Sequence, residues 1–188
     1  MRILLLGVST RALADSAVRT GHDIVAVDYF GDRDQGRLVE SYALRRDLHL
    51  PPTAEGLAEA ARRTKTAAVV YCANLENHPE IVKTLGQGRT VLGNSPGVVR
   101  QVRDWRTLGR FCREQGIPHP AVLFPGQERE ALPGVRWLSK PVRSGGGTVP
   151  GHGTSSRWTP HASCRQSWRV APPLCHSWPT AATAESSA

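Results

Sequence analysis

Lys140 closes a strand-like run, "WLSKPV", and four residues later the chain enters Ser144, Gly145, Gly146 and Gly147. Glycines lack a Cβ, so their backbone N–H groups can approach phosphate oxygens closely, and a lysine just ahead adds a point charge. The pair suits a phosphate-bearing ligand, although a hairpin tip uses the same glycines. It is not a P-loop, because the lysine precedes the glycines and no Gly-Lys-Ser/Thr follows. A second glycine turn, "GVSTRA", begins at Gly7 but lacks the later glycines of a dinucleotide fingerprint. Asp28, at the end of the next apolar run, is therefore not read as a ribose ligand. Asn74, Glu76, Asn77, His78 and Glu80 gather in "NLENHPE", which reads as a capped helix start rather than a metal site. His161, Cys164, Cys175 and His176 match no zinc-finger spacing. Cys72, at a strand end, and Cys112, on an apolar helix face, read as buried structural thiols.

Alternating strands and helices must position these groups. "RILLLG" is a buried strand ended by Gly7, and a helical stretch from Ser9 closes at Gly21. "DIVAVDYF" is a second strand, "TAAVVYC" a third and "RTVLG" a fourth. Between them lie "TAEGLAEAARR", capped by Thr53, and "NHPEIVKTLGQG", with Pro79 in its first turn. This order predicts a doubly wound parallel sheet. "NSPGVVRQVRDWRTLGRFCREQG" then reads as one long helix, with Ser95 as cap and Pro96 just inside. Val98, Val102, Trp105, Leu108 and Cys112 would share an apolar face, and Arg103, Arg106, Arg110 and Arg113 a basic stripe. "IPHPAVLF" is a bend and short strand, and "VRWLSKPV" a further strand.

Composition narrows the function classes. With 24 Lys and Arg against 16 Asp and Glu the net charge is +8. No basic block carries interleaved aromatics, so a nucleic-acid partner is not expected. No run approaches the roughly 20 apolar residues of a membrane helix. "MRILLLGV" is too short an apolar run for a secretory signal, and a cytoplasmic location is expected. Four widely spaced cysteines fit reduced thiols.

The order of these segments resembles the ATP-grasp superfamily over residues 1 to about 147, most specifically in "GNSP", "RDWRTLGRFCREQGIPHPAV" and "WLSKPVRSGGG". The resemblance implies a Rossmann-like pre-ATP-grasp domain over residues 1–94 and part of an ATP-binding subdomain over 95–147. It implies ATP and Mg²⁺ as cofactors and a small-molecule carboxylate, activated as an acyl phosphate and joined to an amine or other nucleophile. By position, Lys140 matches the lysine that meets the ATP phosphates, and Ser144, Gly145, Gly146 and Gly147 match the flap. Where the family places a second cation after an aspartate, Asp104 is followed by Trp105, so Arg106 or Arg103 stands as the substitute. Gly7, Val8 and Ser9 are the candidate substrate contacts. The family's Mg²⁺ ligands come later than any segment this chain matches, so no metal ligand is assigned. No oligomeric state is implied.

From Thr148 the apolar periodicity stops. Residues 148–188 hold no Ile, Phe, Tyr, Lys or Asp and one acid, Glu185, yet three of the five tryptophans. So few aliphatics do not offset the entropy of ordering a chain, and an irregular tail is expected. Codons read from the third base of each present codon permit "HG" after Gly147, "VLQ" over Ser163 to Arg165 and "VSFVADGR" from Leu174. Such strands resemble those that succeed the flap in ATP-grasp enzymes. The expectation is a ligase fragment with an out-of-frame tail, inactive by itself. A different class remains open: a non-catalytic α/β module whose basic stripe engages an acidic partner.

Overall fold

The computed structural model describes residues 1–124, 127, 138–141 and 167–170. The chain divides into two compact units, one built on Met1–Leu108 and one on Gly109–Val142 together with a later strand.

The first unit is a five-stranded parallel sheet: β1 (Arg2–Leu6), β2 (Asp23–Asp28), β3 (Glu40–Ala43), β4 (Ala68–Tyr71) and β5 (Thr90–Val91), in the order β3-β2-β1-β4-β5. Five helices connect and cover these strands: α1 (Arg11–Ala17), α2 (Gln35–Leu38), α3 (Leu44–Leu48), α4 (Ala54–Arg63) and α5 (Pro79–Leu85). Successive side chains on a strand point to opposite faces, so the apolar run of β1 feeds two cores. Leu4 and Leu6 join Val25, Val27 and Val69 beneath Leu57 of α4 and Val82 of α5. Ile3 and Leu5 join Ile24, Ala26 and Ala68 beneath Ala14 of α1.

Helix starts follow the sequence closely. The Thr53 hydroxyl accepts from Gly56 N–H at 3.1 Å, and Pro79 opens α5. Gly21 closes the first helical stretch at φ +69°, a conformation glycine adopts without cost. Three features differ from expectation. The second strand ends at Asp28 instead of Phe30, because the Asp28 carboxylate takes the N–H groups of Phe30 and Gly31 and turns the chain. Glu40–Ala43 adds a fifth, edge strand whose polar, half-exposed residues carry no apolar run. The long helix after Ser95 is two helices, α6 (Pro96–Arg103) and α7 (Trp105–Glu114), broken at Asp104. Its single apolar face is lost with it: Val98 and Val102 are exposed, while Val99 is buried.

The second unit contains β6 (Val122–Leu123), β7 (Leu138–Pro141) and β8 (Ser167–Val170) in an antiparallel sheet of order β6-β8-β7. Here α7 ends in a tight cap, with Gly116 at φ +64°, Gly116 N–H on Arg113 O and Ile117 N–H on Cys112 O. One stretch of the segment expected to be irregular, Ser167–Val170, is thus a strand. Its Ser-Trp-Arg-Val alternation and its Trp and Val suit a pleated ladder.

Candidate functional site

In a sheet of order β3-β2-β1-β4-β5, the chain runs outward from β1 in one direction and then returns to the other side at β4. The carboxyl ends of β1 and β4 therefore bound the topological switch point, where open α/β sheets bind ligands. Gly7, Val8 and Ser9 lie in the loop leaving β1 at this place. The loop is held from both sides. Gly7 N–H donates to Val27 O at 3.3 Å, and Tyr29 N–H donates to Val8 O at 3.2 Å. On the β4 side Val8 N–H donates to Ala73 O, and the Cys72 thiol lies 3.4 Å from Ser9 O. The approach is so close that a Cβ on Gly7 would stand 2.3 Å from Cys72 Sγ and 2.9 Å from Ala73 O. Thr10 N–H is bonded to Asp28 at 3.0 Å. Among the described residues the N–H of Ser9 has no partner, and Ser9 is exposed.

Asp28 is fully buried, and its carboxylate is divided between two loops. Oδ2 accepts from the N–H and hydroxyl of Thr10, at 3.0 and 2.9 Å; Oδ1 accepts from Phe30 and Gly31 N–H, at 3.0 and 2.7 Å. Gln35, also buried, lies behind Thr10 and donates through Nε2 to Ser41 Oγ at 2.7 Å. Asp28 is turned into the protein, where a dinucleotide-binding fold would turn it toward a ribose. Thr10 and Gln35 do not stand out in the sequence. The signal for them lies in the Asp-Tyr-Phe-Gly order, which suits an aspartate accepting from N–H groups two and three residues on.

The β4 side carries further polar groups. Burial, with Glu76 and Asp28 adding to it, pushes the Cys72 thiol up to about 11, so it stays protonated near neutral pH. Asn77 is buried, donates to Asn74 Oδ1 and accepts from Arg103 on α6. "NLENHPE" thus ties the β4 loop to α6. The helix after it starts at Pro79 with no side-chain cap from His78. Among the described residues no group of three or more His, Cys, Asp or Glu side chains is placed to hold a metal ion.

Arg106 sits in the first turn of α7. Its N–H donates to Asp104 Oδ1 at 3.0 Å, and the Thr107 hydroxyl donates to Oδ2 at 2.8 Å. The Thr107 hydroxyl above all, with the Arg106 and Thr107 N–H groups, holds the Asp104 carboxyl below its ordinary range despite some burial. Asp104 is thereby the cap that ends one helix and opens the next. The break separates Arg103, engaged with Asn77, from Arg106, Arg110 and Arg113, so the basic stripe of a single helix does not form. Lys140 lies on β7 opposite Trp168 of β8. Ser144, Gly145, Gly146 and Gly147 fall outside the described residues. No helix among the described residues is long and apolar enough to cross a membrane.

None of the known family profiles matches the chain. It is 33% identical over 93 residues to the carbamoyl phosphate synthase large chain of Rubrobacter xylanophilus, an alignment covering 49% of this chain and 9% of that protein. Among solved structures it is similar to glycinamide-RNase-transformylase T from Mycobacterium tuberculosis, with 20% identity and a TM-score of 0.52 over 92% of this chain and 48% of that one. A pyruvate carboxylase from Rhizobium etli matches at 16% identity and a TM-score of 0.65, over 90% of this chain and 18% of that one. An L-amino acid ligase from Bacillus licheniformis matches at 12% identity and a TM-score of 0.54, over 90% and 43% respectively. The chain spans less than half the length of each of these proteins. Parallel sheet order, capped helices after β5 and these likenesses agree: the chain has the fold of the N-terminal part of the ATP-grasp enzymes.

Proposed function

We propose that this chain is the N-terminal part of an ATP-dependent carboxylate ligase, in which Gly7, Val8 and Ser9 contact a small carboxylate substrate and Lys140, Arg106 and residues 144–147 serve the nucleotide. The observation that carries the reading is the Gly7–Ser9 loop. It stands at the switch point, pinned to β2 and β4, with the Ser9 N–H open to a ligand oxygen. An exposed backbone donor held rigidly is suited to an anionic group, because no reorganisation accompanies binding. The similar structures include a protein named as an L-amino acid ligase, which favours a substrate bearing a carboxylate.

ATP with Mg²⁺ would supply the activation of that carboxylate. The chain's own cations, Lys140 and Arg106, would stabilise charge on the transferred phosphoryl group. Residues 1–94 form the pre-ATP-grasp domain in this reading, and 95–147 the start of the nucleotide-binding subdomain. Residues 148–188 are translated out of frame, and the 188-residue chain is without turnover. Its place is the cytoplasm.

Sequencing the locus around codon 147 and restoring the alternative frame tests the proposal. The restored product is expected to continue into a segment with acidic Mg²⁺ ligands and to hydrolyse ATP in the presence of a carboxylate substrate. Lys140→Ala should remove most of that activity, on the order of 100-fold. A stop codon soon after codon 147 in the alternative frame refutes the out-of-frame tail. A restored enzyme indifferent to every carboxylate refutes the ligase.

A further inference from the structure

We infer that Asp28 is the positioning residue of the substrate crevice, acting through Thr10 on the Gly7–Ser9 loop. The inference rests on the ligase reading in taking that loop as the substrate contact. A buried carboxylate is costly unless hydrogen bonds replace its water. Here the Thr10 N–H and hydroxyl serve one oxygen, and the Phe30 and Gly31 N–H groups serve the other. Among the described residues no ion pair neutralises it: Arg11 pairs with Asp34, and Arg46 is engaged by Asp47 and Gly31 O. The carboxylate is therefore held by oriented backbone and hydroxyl donors, with the Gln35 amide Nε2 a further donor at 3.4 Å from Oδ2.

This arrangement fixes the loop. Of the N–H groups from Gly7 to Thr10, that of Gly7 is taken by Val27 of β2, that of Val8 by Ala73 in the loop after β4, and that of Thr10 by Asp28. Clamping Thr10 fixes the Ser9–Thr10 peptide, and Tyr29 N–H on Val8 O fixes the Val8–Ser9 peptide that carries the Ser9 N–H, so with both flanking peptides held the Ser9 N–H is left as the exposed donor. Gln35 supports the clamp from behind. Its Oε1 lies 3.2 Å from the Thr10 hydroxyl, and its Nε2 is bonded to Ser41 of β3. Asparagine cannot substitute for Asp28, since its Nδ2 would set a donor against donors. At position 10, serine keeps the hydroxyl and valine replaces it with a methyl group.

The test is amide hydrogen exchange and ¹H–¹⁵N spectroscopy on the 188-residue chain carrying Asp28→Asn, Thr10→Val or Thr10→Ser. Asp28→Asn and Thr10→Val should shift the Ser9 resonance and speed exchange at Thr10 by about tenfold or more, while Leu4 and Val69 keep their rates. Thr10→Ser should restore the native pattern. Equal loss of protection in loop and strands would mean a merely structural role, and unchanged Ser9 and Thr10 signals would mean no role; either overturns the inference. If Asp28→Asn does not fold, the Thr10 pair decides. In the frame-restored enzyme, assayed with bicarbonate and each of the twenty L-amino acids, Thr10→Val should raise KM for the active carboxylate about tenfold, one hydrogen bond's worth. KM for ATP should not move. Wild-type turnover with an unchanged carboxylate KM in Thr10→Val overturns the inference alone; absence of wild-type turnover overturns the ligase reading instead.

Discussion

Gly7 shows how one residue type can be fixed by its surroundings. An added Cβ meets Cys72 Sγ and Ala73 O, and the backbone on both sides is bonded and cannot withdraw. Gly7→Ala should lower stability by about 1–3 kcal/mol in urea unfolding. Adding Cys72→Ala should return part of the loss, because the carbonyl of Ala73 still crowds the site. Cys72 itself gives a pH prediction. Its thiol is raised to about 11 in the folded chain, against roughly 8.5 for an unfolded one. The unfolded chain loses this proton first, so above about pH 8.5 the group draws the equilibrium toward unfolding, and its effect levels off near pH 11. Below about pH 8.5 it contributes nothing. Iodoacetamide at about pH 8 should accordingly label Cys72 roughly 100-fold more slowly in the native chain than in urea, read by mass spectrometry. Equal rates would contradict the burial. The sequence puts this cysteine at a strand end, but the burial and the nearby Glu76 and Asp28 that raise its thiol are visible only in the fold.

Helix caps are the elements most legible in the sequence. Thr53 and Ser95 each stand before a helical pattern, and each accepts an N–H three residues on, from Gly56 and Val98. Thr53→Ala and Ser95→Ala should each cost about 1 kcal/mol in thermal or urea unfolding. A negligible change would show that the hydroxyls are replaced by water without loss. Asp104 reads in the sequence as an aspartate within a helix, not as a break. Apolar residues at 98, 102, 105, 108 and 112 keep helical spacing across it, so periodicity alone runs the two helices together. A cap inside a continuous pattern is visible only once its carboxylate is seen on Arg106 and Thr107. Glu40–Ala43 escapes notice for the opposite reason. An edge strand buries little, so its sequence need not look like a strand.

At the scale of the whole molecule, sheet class was legible and strand order was not. Strands buried on both faces read as unbroken apolar runs, which reveal burial but not neighbours. The crevice depends on β4 returning to the far side of β1, so its second wall could not be assigned from sequence. The two cores make a quantitative prediction: Leu4→Ala, in the larger cluster and fully buried, should cost about 2–5 kcal/mol, and Ile3→Val, in the smaller, about 0.5–1.5 kcal/mol. Urea midpoints with unchanged slopes would check both. The central position of β1 has a further consequence during synthesis. β1 is made before either of its partners and needs both, and its second partner is Ala68–Tyr71. A nascent chain shorter than that can pair β1 with β2 but leaves the other edge of Ile3–Leu6 open, a hydrophobic template for wrong pairing. Translation through Tyr71 is therefore the window in which a chaperone holding the emerging β1 would matter most.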